Sequence, residues 1–140
     1  MKTMKKVLLC LSLSVFFTNC QRIEFGPDCS KKPLDKITVT GKVVYEDGSS
    51  VEQCYVYVEE GQILGFYSKK MADTTTYQSG EFTLVFTPRQ QDEKNWCEVN
   101  YSVECTKEGY YQPSPCVISK YKSKQNFKVV LKKTQKEIEQ

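Results

Sequence analysis

A chain of 140 residues with 39% hydrophobic and 26% charged side chains is long enough for one domain with a modest core, and too apolar to stay disordered. It contains no histidine, which excludes Ser-His-Asp and Cys-His nucleophile activation, histidine-ligated zinc and a histidine general base. The formal charge of +3 is carried by Lys2, Lys5 and Lys6 at the extreme N-terminus.

Those three lysines open a processing signal. Val7 to Phe17 is apolar apart from Ser12 and Ser14. The stretch is too short for a bilayer core, which takes about 20 residues. It fits the apolar region of a secretory signal, roughly 7–15 residues. Phe17-Thr18-Asn19-Cys20 then resembles the lipobox of bacterial lipoproteins, in the loosened form of the Bacteroidetes type. Residues 1–19 are therefore expected to be a signal peptide, and Cys20 the lipid acceptor. Several acyl chains would hold the protein stably at a membrane, where one chain binds only marginally. Ordinary secretion with a cut nearby is the alternative.

From Cys20 onward the chain carries 17 basic and 17 acidic residues, so its net charge gives no support to a nucleic-acid partner. The balance is uneven along the chain. Lys36 to Ser119 holds 7 basic and 12 acidic residues, and Lys120 to Gln140 holds 7 lysines and 2 glutamates. The basic end reads as a solvated last strand and tail, or as a foot that meets anionic headgroups or an acidic partner.

Residues 20–35, with Gly26, Pro27, Asp28 and Pro33, show no periodicity and read as a tether. The domain is expected over 36–132, with a charged tail at 133–140. Ile37, Val39, Val43 and Tyr45 share one parity, and Asp47-Gly48 follows as a hairpin turn signal. Cys54, Val56 and Val58 form one face of the next strand, with Tyr55 and Tyr57 on the other. A turn is expected at Glu59-Glu60-Gly61, then a short apolar patch from Ile63 to Tyr67. The threonine-rich Asp73–Tyr77 favours strand. Phe82, Leu84 and Phe86 alternate with polar neighbours until Pro88. Arg89–Asn95 is a polar loop. Cys97, Val99, Tyr101, Val103 and Cys105 form the clearest period-2 run. Cys116–Ser119 is a short strand, and Phe127, Val129 and Leu131 close the set. In the tail Ile138 is the single apolar residue, so a helix there would have no face to bury. About seven strands with regular turn signals predict an all-β fold, one antiparallel β-sandwich.

Thr40-Gly41-Lys42-Val43-Val44-Tyr45-Glu46-Asp47-Gly48 resembles the opening strand and turn of carboxypeptidase-regulatory-like domains, and Ser50–Val58 resembles their next strand. Thr74-Thr75-Thr76-Tyr77-Gln78-Ser79-Gly80-Glu81-Phe82 and Gly109-Tyr110 resemble their later marks. The likeness runs from about Ile37 to Leu131. It departs from the family at Ser50, Gln53 and Tyr77, where Pro, Gly and Asp are customary. It implies an Ig-like, transthyretin-like sandwich that acts as an accessory module rather than a catalyst.

The chemistry to be weighed is sparse. Glu59 with Glu60, Asp92 with Glu93, and Glu98 with Glu104 are acid pairs, but they fall in turns or on a solvent face and read as solubility and edge protection. A calcium-loop or phosphate-loop spacing is absent, and no metal or cofactor is expected. Lys42 and Asn126 could form an isopeptide crosslink only if both were buried with an acid. Of seven cysteines, Cys29, Cys54, Cys97, Cys105 and Cys116 remain after the signal and Cys20. Connectivity is open, and Cys105 with Cys116, flanking a Gly, Pro and Tyr-rich connection, is the favoured pair. Tyr55 and Tyr57 are the candidate binding surface, for an envelope protein or for sugar rings. The expected function is a non-enzymatic, lipid-anchored accessory protein of the cell envelope, at the outer membrane. The alternative is a carbohydrate-binding lipoprotein of a polysaccharide uptake system.

Overall fold

Alternating apolar residues give an extended chain one greasy face, and two such sheets must cover each other. The computed structural model describes residues 18–19, 29–62 and 67–135, and no helix occurs among them. Among the described residues there are nine strands: β1 (Thr18–Asn19), β2 (Ile37–Tyr45), β3 (Tyr55–Gln62), β4 (Ser68–Thr75), β5 (Glu81–Phe86), β6 (Val99–Thr106), β7 (Tyr110–Tyr111), β8 (Cys116–Ile118) and β9 (Lys124–Lys133). The two-residue strands β1 and β7 are additions to the expected set. The first sheet has the order β1-β9-β2-β5, with β7 also on β9, and the second β4-β3-β6-β8. The chain is thus an all-β sandwich, as its periodicity predicts. Two pairings are parallel, β2 with β9 and β1 with β9. No hairpin joins β2 to β9, so no turn dictates their direction.

The core is the sum of the period-2 faces. Ile37, Val39 and Val43 of β2, Phe82, Leu84 and Phe86 of β5, and Phe127, Val129 and Leu131 of β9 meet Val56 and Val58 of β3, Val99, Tyr101 and Val103 of β6, and Ile118 of β8. Each large apolar side chain buried this way contributes roughly 1.5–3 kcal/mol. The Asp47-Gly48 signal forms its turn. Tyr45 N–H donates to Ser49 O at 2.8 Å, and the Asp47 carboxylate accepts from Ser49 N–H at 2.9 Å and from its hydroxyl at 2.6 Å. Thr76, buried where β4 ends, donates from Oγ1 to Val51 O at 2.6 Å and accepts from Cys54 N–H at 2.9 Å, fixing the entrance to β3.

Gly41 lies mid-strand because the Phe82 ring and the β9 backbone close over it. A Cβ there would fall 2.5 Å from both Phe127 O and Phe82 Cζ. Phe82 is itself buried and has little room to withdraw. Gly41→Ala is expected to cost about 1–3 kcal/mol through overpacking, read as a lower urea midpoint.

Three sequence expectations are corrected. Glu59-Glu60-Gly61 is not a turn: β3 runs on to Gln62, and Glu60 continues the inward parity of Val56 and Val58. Cys97 lies in a turn before β6 rather than on the strand, because it is bonded to Cys29, with the two Cα atoms 5.4 Å apart. The Cys105–Cys116 pairing is not formed. Cys105 carries a free thiol, and Cys116 is bonded elsewhere. The β6–β8 register sets Cys116 opposite Val103, and the Gln112 amide fills the gap. Gln112 accepts from Cys105 N–H at 2.9 Å, donates to Val103 O at 3.0 Å and lies 3.7 Å from Cys116 Sγ. The segment before β2 is fastened at two points, by Cys29 and by Leu34, whose N–H donates to Lys120 O at 3.1 Å.

Candidate functional site

The outer face of the second sheet carries Tyr55 and Tyr57, as their parity requires. Their rings lie 5.5 Å apart. The Tyr55 hydroxyl donates to Asp73 Oδ2 at 2.6 Å, and Lys70 Nζ donates to both, at 2.7 Å each. The Asp73 and Tyr55 hydrogen bonds hold the Lys70 ammonium above its ordinary range, and the Lys70 contact holds the Asp73 carboxyl below its own. Both tyrosines are half-buried. Tyr77, at 72% exposure, and Tyr111, at 49%, are far more open. The predicted pair is thus a charged-aromatic cluster with one hydroxyl already committed.

Glu104 stands opposite Tyr57 on the same face and accepts from the Ser102 hydroxyl at 2.7 Å. Burial pushes its carboxyl above the usual range, with the Glu59 charge adding to the shift, and burial likewise raises the Tyr57 phenol. The folded state therefore holds the Glu104 proton more tightly than the unfolded chain does. The stabilisation is complete below the unfolded pKa of about 4.3 and is lost as pH rises through the elevated folded value. Glu104→Gln should raise the urea midpoint at pH 7, and this gain should shrink towards pH 4.

Sequence reasoning missed a second cluster. Glu60, at 2% exposure, accepts from Arg89 Nη2 at 2.6 Å and from the Tyr101 hydroxyl at 2.7 Å. Tyr101 accepts in turn from Arg89 N–H at 2.7 Å, and Arg89 Nη1 donates to Lys94 O at 2.7 Å. The guanidinium lies 5.6 Å from the Tyr67 ring. Burial pushes the Tyr101 phenol up, and the Glu60 hydrogen bond does the same for Arg89. The signal was the unbroken parity from Cys54 to Glu60. Every polar group is partnered, so the cluster pins β3, the loop after β5 and β6 together.

The adjacent acids Glu59 and Glu60 do not act as a pair. Glu59 points outward to Ser68 while Glu60 points inward. Glu93 accepts from Gln90 N–H at 2.5 Å within its own turn. Lys42 and Asn126 are both exposed, facing Lys128 and Thr40 respectively, away from the buried acid. Among the described residues no group of three metal-binding side chains could hold an ion, and no helix is long and apolar enough to cross a membrane. Cys20 lies outside the described residues.

No family model matches the chain, and no curated protein matches it. Similar solved structures include an alternative pilotin from the type II secretion system of Vibrio cholerae, 14% identical with a TM-score of 0.49, the match covering 72% of this chain and 99% of that one. The shaft pilin spaA from Lactobacillus rhamnosus GG is 9% identical with a TM-score of 0.47, covering 75% of this chain and 52% of that one. A 9R-lipoxygenase from Cyanothece is 13% identical with a TM-score of 0.45, covering 80% of this chain and 18% of that one. Likenesses this distant carry no statement about activity.

Proposed function

We propose that the protein is a lipid-anchored accessory module of a bacterial cell envelope, one β-sandwich held at the outer membrane through Cys20 and performing no catalysis of its own. The observation that carries this reading is the N-terminal order: Lys2, Lys5 and Lys6, the apolar Val7–Phe17, then Phe17-Thr18-Asn19-Cys20. Cleavage before Cys20 would remove β1 and leave its place beside Phe127 and Lys128 of β9 open. The carboxypeptidase-regulatory-like resemblance supports an accessory role. Its first motif corresponds to β2 and the following turn, and its threonine motif to the passage from β4 into β5. These positions build the sandwich rather than a reaction centre.

The module's partner is an envelope protein in this reading. A glycan partner is favoured only by the Tyr55–Tyr57 ring pair, and Lys70 and Asp73 already occupy the Tyr55 hydroxyl. Cys20→Ser in the full-length chain should move the protein from the membrane to the soluble fraction and abolish incorporation of labelled palmitate. A variant that stays firmly membrane-bound overturns the anchor.

A further inference from the structure

Cys54 and Cys105 are the two free thiols among the described residues, and the fold brings them together. Cys54 is the residue before β3, and Cys105 is next to last in β6. The two strands run antiparallel, with Tyr55 opposite Thr106 and Val56 opposite Cys105. Cys54 and Cys105 are therefore diagonal neighbours on the inward side of the second sheet. Cys54 Sγ lies 3.5 Å from the carbonyl oxygen of Thr106, the residue next to Cys105, and the two thiols shift each other's titration. Cys54 is wholly buried in the core, whereas Cys105 packs at its rim with part of its surface open.

We propose that Cys54 and Cys105 are a disulfide site, a bond that closes across the two central strands of the second sheet when the protein meets a disulfide-bearing oxidant. Both positions are anchored independently of the bond. Thr76 Oγ1 accepts from Cys54 N–H, and the Gln112 carbonyl accepts from Cys105 N–H. For diagonal neighbours, closure to the S–S length of about 2.05 Å asks for side-chain rotation and a small approach of the two strand ends. The Cys29–Cys97 bond shows that this fold is built with a disulfide, the chemistry of an oxidising compartment.

The step balances as thiol–disulfide exchange with a protein or small-molecule disulfide, RS–SR. The Cys105 thiolate, reachable from solvent, attacks one sulfur of RS–SR and expels RS⁻. The Cys54 thiolate then attacks the Cys105 sulfur of the mixed disulfide and expels the second RS⁻. Two cysteine thiols lose two protons and two electrons, and RS–SR leaves as two RSH. The contact with Cys54, and then burial, raise the Cys105 thiol, so its attack is the slow first step. The contact with Cys105 lowers the Cys54 thiol, against the effect of burial, and the nearby Lys107 ammonium lowers it further. Lys107 is held there by donating to Glu52 O at 2.7 Å.

The experiment reads these two thiols alone, so it stands or falls separately from the lipid anchor. Full-length protein is treated with oxidised glutathione, alkylated with N-ethylmaleimide in denaturant, digested without reductant and analysed by mass spectrometry. The expected product is a linked peptide pair joining Cys54 to Cys105, two hydrogens lighter than the dithiol, with neither residue alkylated. In Cys54→Ala the reaction should stop with glutathione on Cys105. Quantitative alkylation of both cysteines in wild-type protein that retains Cys29–Cys97 overturns the proposal. So does a linkage of either cysteine to a different one.

Discussion

Replacing Cys29 and Cys97 together by serine is expected to lower the free energy of unfolding by about 4 kcal/mol, the largest single effect in the molecule. The bond joins residues 68 apart in sequence, and that interval contains β2 through β5. Breaking it returns to the unfolded chain the freedom of a loop of that length. In the folded state it clamps the segment before β2 to the turn before β6, which belong to opposite sheets. Substituting both cysteines avoids a new thiol that could exchange with Cys54 or Cys105. The check is urea denaturation of wild type and double variant, with the midpoint falling and the slope rising as the unfolded ensemble expands. A loss below about 1 kcal/mol would mean that the unfolded chain is already compact and the loop argument fails.

Glu60→Ala is expected to cost about 3 kcal/mol. The carboxylate is 2% exposed and the Arg89 side chain 21%, so removing one partner strands a mostly desolvated cation. The Tyr101 hydroxyl loses its acceptor at the same time, inside the core. The slight opening of Arg89 to water places the cost near the lower end of the range of roughly 3–5 kcal/mol for broken buried pairs. The double variant with Arg89→Ala should cost less than the two single losses combined, because no unpaired charge remains. Strictly additive losses in that cycle would show that Glu60 and Arg89 do not act as a pair.

The sequence located the core with little ambiguity. Period 2 is a local property, and Val56, Val58, Phe82, Leu84, Phe86, Val99, Val103, Phe127, Val129 and Leu131 all lie on the inward faces that their parity assigned. The outward placement of Tyr55 and Tyr57 followed from the same rule. The parity rule failed to be applied at Glu60, where two adjacent acids and a glycine resemble a turn. A charge is readable as buried only once its counter-ion is known, and Arg89 comes from a loop far along the chain. The candidate surface was legible as a position but not as a chemistry, because Lys70 and Asp73 reach Tyr55 from the neighbouring strand.

By itself, then, the sequence determined the class of the fold, the strands of the core and the expectation of an N-terminal lipid signal. Each depends on residues adjacent or alternating along the chain. Tertiary structure alone decided the Cys29–Cys97 bond, the meeting of Cys54 with Cys105, the parallel pairing of β2 with β9 and the Glu60–Arg89–Tyr101 cluster. These depend on which strands become neighbours and in what register. Many alternatives share the same pattern of apolar residues, and only the simultaneous packing of both sheets selects among them.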